Sequence, residues 1–125
     1  MPQRLIIAIT GASGVIYGIR MLETLARSAE VETHLVLSAA ARATIGQETQ
    51  WSVKDVEALA SVVHSPGNVG ASIASGSFET MGMIVAPCSI KTLSAIAQCY
   101  TADLIARAAD VQLKEGRPVI LMVRE

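Results

Sequence analysis

Thr10-Gly11-Ala12-Ser13-Gly14 is a short glycine-bearing turn between an aliphatic run, Arg4 to Thr10, and an amphipathic stretch that starts at Val15. Glycines at such a turn let backbone N–H groups face an anion, and the start of the following helix adds partial positive charge. A phosphate or the edge of a flavin suits it; a plain β–α turn with Ser13 as helix cap fits the same residues. Pro87-Cys88-Ser89-Ile90-Lys91-Thr92 repeats the arrangement, with hydroxyls at a second helix start after a second buried run. Ser89 as a simple cap accounts for it locally. Two such starts on one sheet edge would form a pocket for a phosphorylated cofactor. Cys88 stands where a thiolate can be activated. It has no His near it in sequence, so a packed structural thiol is expected.

The nicotinamide alternative is testable on the same residues. A dinucleotide turn needs G-x-G-x-x-G, and Gly11-Ala12-Ser13-Gly14-Val15-Ile16 does not supply it; the second strand closes on Ser38 in place of a ribose-holding carboxylate. The short-chain dehydrogenase turn would need glycine at Val15 and Tyr17, and no Tyr-x-x-x-Lys occurs. No Gly-Lys-Ser/Thr follows the first turn, which excludes a Walker loop. Elsewhere, Asp103, Arg107, Asp110 and Lys114 form one helical stripe. It reads as a solvated ion-pair face, or as cations presented to a phosphate at a subunit boundary. Glu48 closes a nearly uncharged helix, as a surface group or a proton carrier. His34 and His64 have no metal-ligand spacing and read as ordinary polar residues.

Elements that alternate from end to end must position these groups. Strands are expected at Arg4–Thr10, Glu32–Leu37, Met83–Ala86 (stopping at Pro87) and Pro118–Val123. Helices are expected at Val15–Arg27, Ala39 to about Thr49, Ser52–Ala60, Ser89 to about Cys99, and from Thr101 or Asp103 to a cap at Gly116. His64–Gly76 reads mostly as loop. Strands joined through helices imply a single α/β domain over 1–125, a three-layer Rossmann-like parallel sheet covered on both faces. A closing helix is expected beyond the last strand, so a C-terminal element is expected to be missing from these residues. The chain has 125 residues, 51% apolar and 17% charged, enough for a real core. A net charge of −1 and 3% aromatics argue against a nucleic-acid binder. No apolar run approaches a membrane span, and Met1-Pro2-Gln3-Arg4 does not open a signal peptide. Two cysteines, Cys88 and Cys99, suit free thiols in a reducing cytoplasm.

Several segments follow one another in a specific order: Ile9-Thr10-Gly11-Ala12-Ser13-Gly14, Tyr17-Gly18, Ser75-Gly76-Ser77-Phe78, and Pro87 to Ser94. Arg107-Ala108-Ala109-Asp110, Leu113-Lys114-Glu115, Arg117-Pro118 and Arg124-Glu125 complete it. In this order the whole chain resembles the UbiX-type flavin prenyltransferases, earlier described as aromatic (phenylacrylic) acid decarboxylases. The resemblance implies a Rossmann-like (flavodoxin-like) flavoprotein that moves a dimethylallyl group from dimethylallyl phosphate onto N5 and C6 of reduced FMN. The product would be the prenylated-FMN cofactor of a UbiD-type decarboxylase.

By the same resemblance Gly11, Ala12, Ser13, Ser38, Ser89, Ile90, Lys91, Thr92 and Arg124 match FMN-binding positions. Ser13 and Glu48 match groups that move protons around the flavin; Arg107, Lys114, Arg124 and Glu125 match groups around the prenyl phosphate, some across a subunit interface. A homo-oligomer, a dodecamer in the family, and a metal-free route are implied. The family's further phosphate-site Tyr and basic residue lie in a C-terminal segment beyond residue 125. Two rival readings are an FMN-dependent cysteine decarboxylase of related fold and a non-catalytic flavin-binding accessory subunit. The first would need Pro-Ala-Ser-Ala-Asn-Thr and a catalytic His, where this chain has Pro87-Cys88-Ser89-Ile90-Lys91-Thr92.

Overall fold

Leu5 to Ile9 are five consecutive buried residues, and alternate members serve different cores. Ile6 and Ala8 face one side; Leu5, Ile7 and Ile9 face the other, as the two-residue period of a strand requires. In the computed structural model, which describes residues 2–125, this run is strand β1 (Gln3–Ile9) at the centre of a five-stranded sheet. The others are β2 (Val31–Leu37), β3 (Val62–His64), β4 (Met83–Cys88) and β5 (Val119–Val123). Every pairing is parallel and the spatial order is β3-β2-β1-β4-β5. The chain winds outward from β1 to β3 and then returns to β4 beside β1. The crevice at that reversal, beyond the carboxyl ends of β1 and β4, is where such sheets bind ligands.

Helices α1 (Val15–Ala26), α2 (Ala39–Glu48) and α3 (Val53–Ala58) cover one face. Val15, Ile19 and Leu22, with Ala41, Ile45 and Val56, pack there against Ile7, Ile9, Leu35 and Leu37. Helices α4 (Ile90–Ala97) and α5 (Leu104–Lys114) and a 3-10 turn at Ser72–Ala74 cover the other. Ile73, Ile96, Leu104, Ile105, Ala108 and Ala109 meet Ile6, Ala8, Val36, Met83 and Val85. Each fully buried Leu or Ile contributes roughly 1.5–3 kcal/mol, so these two cores dominate the stability.

Three sequence expectations change. Val62–His64 is a strand, so His64 closes an edge strand and does not open a loop. Its three residues are too few for an alternation to show in sequence. Strand β4 does not stop at Pro87 but runs to Cys88. The carbonyls of Pro87 and Cys88 accept from Thr10 and Arg124 N–H groups, so the ladder continues without a proline donor. Thirdly, Ser13 is not the cap of α1: Gly14 is, at φ 98, without a side-chain cap bond. The helix beginning between Thr101 and Asp103 takes Asp103 as its cap, and Gly116 follows α5 at φ 73.

Candidate functional site

Helix α2 begins directly after β2, and α4 directly after β4. Ser38 caps the first: its Oγ accepts from the Ala41 N–H at 3.0 Å, while its own N–H donates to the Ile9 carbonyl at 3.0 Å. Ser89 caps the second, accepting from the Thr92 N–H at 3.2 Å and donating to the Thr92 hydroxyl at 3.0 Å. The two helix starts open onto one cleft of about 440 Å³, lined also by Gly11, Lys91 and Thr92. Each cap leaves free N–H groups in the first turn, pointing where an anion would sit.

Gly11 makes this closeness possible. A Cβ on it would lie 2.5 Å from the Ala40 Cβ, so any larger residue would push the first turn away from α2. Thr10 ties the two loops together. Its buried hydroxyl donates to the Pro87 carbonyl at 2.7 Å and accepts from the Ser89 N–H at 2.8 Å. Sequence reasoning placed Thr10 in the turn without giving it this part. The available signal was a hydroxyl at the end of an otherwise aliphatic buried strand. Pro66, Gly67 and Asp103 close the far wall, and the first two were likewise not foreseen.

A second cluster gathers at the start of α1. The Gly14 N–H donates to a carboxylate oxygen of Glu48 at 3.1 Å, and the Ser13 N–H donates to the Glu125 carbonyl at 2.7 Å. The Arg124 guanidinium stands 5.5 Å from the centre of the Tyr17 ring, within cation–π range. Glu48 therefore reaches back from the end of α2 to the glycine turn, 34 residues away in sequence. This places a carboxylate, a hydroxyl and a guanidinium beside the first loop.

Other expected residues are not brought into the cleft. Arg107 and Lys114 are exposed on α5 and do not line it, although Asp103, at the head of the same stripe, does. Lys114 lies eleven residues beyond Asp103, about 16 Å along a helix. Among the described residues no ion pair joins members of the stripe, so the expected ion-pair face does not form within one chain. The Ile90 side chain is exposed, and that of Ala12 is packed inside. Cys88 is buried and its thiol is pushed up by that burial, as a packed cysteine should be. A second hollow, of about 510 Å³, at the opposite end of the sheet by Gln3, Arg4 and Thr80, has no helix start opening onto it.

Comparison with known proteins places these features in context. The family model for flavoproteins matches residues 1–124. Flavin prenyltransferase UbiX of Escherichia coli K12 is 56% identical over 123 residues, covering 98% of this chain and 65% of that protein. The chain thus spans just under two thirds of the length of that curated relative. A dodecameric FMN-dependent UbiX-like decarboxylase from E. coli O157:H7 superposes with a TM-score of 0.97 at 50% identity, covering 98% of this chain and 66% of that one. AnUbiX (PadA1), solved with FMN and dimethylallyl pyrophosphate, also gives 0.97, at 49% identity over 100% of this chain and 66% of its own.

Proposed function

This chain belongs to the flavoprotein family, among its UbiX-type flavin prenyltransferases, and from that premise we propose that it transfers a dimethylallyl group from dimethylallyl phosphate to reduced FMN. The observation that carries the reading is the cleft itself: two hydroxyl-capped helix starts and a glycine turn that no Cβ could occupy, facing one another at the sheet reversal. These donors fit a flavin phosphate. Ser38 and Thr92 supply hydroxyl donors, the second oriented by Ser89, the turns at Gly11–Ala12 and Ile90–Lys91 supply N–H groups, and Lys91 supplies charge. When bound, reduced FMN supplies the N5 and C6 positions that receive the prenyl unit.

The chain's own residues do the rest. Ionising an allylic phosphate leaves negative charge on the phosphate, which Arg124 and, from a neighbouring subunit, Arg107 and Lys114 stabilise electrostatically. Glu125 helps to order these cations. The carbocation left behind is shielded by aromatic faces such as Tyr17. Bond formation at C6 displaces a ring proton. Glu48 takes it, directly or through Ser13, from a position held by its hydrogen bond to the Gly14 amide. The expected assembly is a homo-oligomer, supported by the exposed Ile120, Met122 and Val123 on β5 and Leu113 on α5. The prenylated product would pass to a UbiD-type decarboxylase. Among the described residues no helix is long and apolar enough to cross a membrane.

The test is direct. Incubating the protein with reduced FMN and dimethylallyl phosphate should yield a flavin heavier by one prenyl unit. Recovery of unmodified FMN from protein that binds it would overturn the transferase reading in favour of a flavin carrier.

A further inference from the structure

The far wall of the cleft, Pro66 and Gly67, follows the shortest strand in the sheet. The Pro66 carbonyl accepts from the Leu104 N–H at 2.9 Å, so the same wall also anchors the first turn of α5, next to Asp103. Strand β3 pairs with β2 through only three residues, His34 with Val62, Leu35 with Val63 and Val36 with His64. A parallel edge strand this short has little to fix its register, and a one-residue slip turns every side chain to the opposite face. Such a slip would move the wall by about 3.3 Å along the strand.

Two polar contacts oppose it. At the start of β3, Thr33 and Ser61 each donate a backbone N–H to the other's hydroxyl at 3.0 Å, and at its end a buried histidine pair does the same work. His34 is 3% exposed, yet it sits in the core-facing run of β2. Its Nδ1 lies 3.0 Å from Nε2 of His64, with the rings stacked at 5.2 Å, and its Nε2 lies 2.7 Å from a carboxylate oxygen of Glu32. Phe78 packs edge-on against His34 at 5.3 Å, and Arg4 covers Phe78 at 4.1 Å while pairing with Glu32 at 3.5 Å. After a one-residue slip His64 could no longer meet His34. We propose that His34 is a positioning residue for the cofactor cleft: through its hydrogen bond to His64 it locks the register of β3, and so the place of the Pro66–Gly67 wall. The effect on cofactor rests on the function proposed above; the effect on the wall does not.

With Glu32 ionised, His34 donates from Nε2 to the carboxylate and accepts at Nδ1 from the Nε2–H of His64. One added proton still leaves one donor and one acceptor between the rings, so the bond survives. Two added protons set N–H against N–H, and the lock opens. The charged groups around the pair are Glu32 on its own strand and Arg4 on β1. The 75–78 turn brings only the Phe78 ring, and the 3-10 turn carries no charge. Among the described residues, Arg107, Asp110 and Lys114 of α5 make no hydrogen bond or ion pair to either imidazole.

The experiment uses the wild-type protein, His64→Ala at the half-buried end of the pair, His34→Gln, and the double variant. Amide hydrogen exchange at Leu104 in flavin-free protein reads the wall, and FMN titration at pH 8 and pH 5.5 reads the cleft. Exchange at Leu104 should accelerate about tenfold in each single variant, the scale of one lost hydrogen bond. FMN affinity at pH 8 should fall by a similar factor, with the double variant no worse than either single one. Wild-type affinity should fall at pH 5.5 and that of His64→Ala should not fall further. Unchanged Leu104 exchange, or additive losses in the double variant, would overturn the proposal. If wild-type protein binds no FMN at either pH, the function proposed above fails, and Leu104 exchange alone decides the lock.

Discussion

On the function proposed above, Glu48 contributes two things to the site, and they can be separated. Its carboxylate accepts from the Gly14 amide, which is structural, and it can carry a proton, which is chemical. Glutamine keeps an acceptor oxygen for Gly14 and loses the titrating proton. Glu48→Gln should therefore fold and bind FMN normally while slowing prenylation by ~10²-fold or more, the usual scale for a general acid–base group. Stopped mixing, followed by the mass and absorbance of the bound flavin, reads the rate; product at the normal rate would make Glu48 only a strut for the turn. Lys114 is the contrasting case, exposed and, among the described residues, paired with no carboxylate. Lys114→Ala should impair turnover with FMN still bound if a neighbouring subunit's site uses it. As a mere surface group it would cost at most ~1 kcal/mol and leave activity intact.

At the scale of elements, the site depends on how closely α1 and β4 approach. A Cβ on Gly18 would collide with the Ala86 carbonyl and come within 2.8 Å of the Ile9 side chain. No larger residue can bring α1 onto the sheet at this distance, so Gly18→Ala must displace the helix whose first turn carries Ser13 and Gly14. The expected loss is about 1–3 kcal/mol, the range for overpacked cores, visible as a lower urea midpoint. An unchanged midpoint would mean that α1 can shift without cost. Weaker FMN binding should accompany the loss, because the glycine turn moves with the helix.

The molecule as a whole should weaken in acid in two stages. Burial, and secondarily the neighbouring His34, hold the His64 imidazole below its ordinary value near 6.5. A depressed group gives stability that is complete above the unfolded value and declines as pH falls below it, because the unfolded chain then binds the extra proton. Glu32 is also depressed, chiefly by its hydrogen bond to His34, from an ordinary value of 4.5. Its contribution is complete above that value and is lost as pH falls through the lowered one. Melting temperature should thus be flat above about pH 7, decline first below about 6.5 and again below about 4.5. Differential scanning calorimetry of wild type against His64→Gln checks it. The variant should lack the first decline, and equal profiles would remove His64 as its source.

What sequence alone determined were the parts written in local pattern. Aliphatic runs marked β1, β4 and β5 as strands, although β5, expected to be buried, is largely exposed; Ser52 and Ser89 stood where helices begin, and each accepts a capping bond. The order of the motifs was enough to identify the family. Tertiary structure alone decided the contacts between residues distant in the chain. Thr10 joins residues 77 and 79 positions away, Glu48 returns to Gly14, and His34 meets His64 across a strand too short to show itself in sequence. Periodicity and capping report a residue's neighbours within a turn or two. A hydrogen bond across strand ends depends on sheet order and register, which arise only when the whole chain has packed.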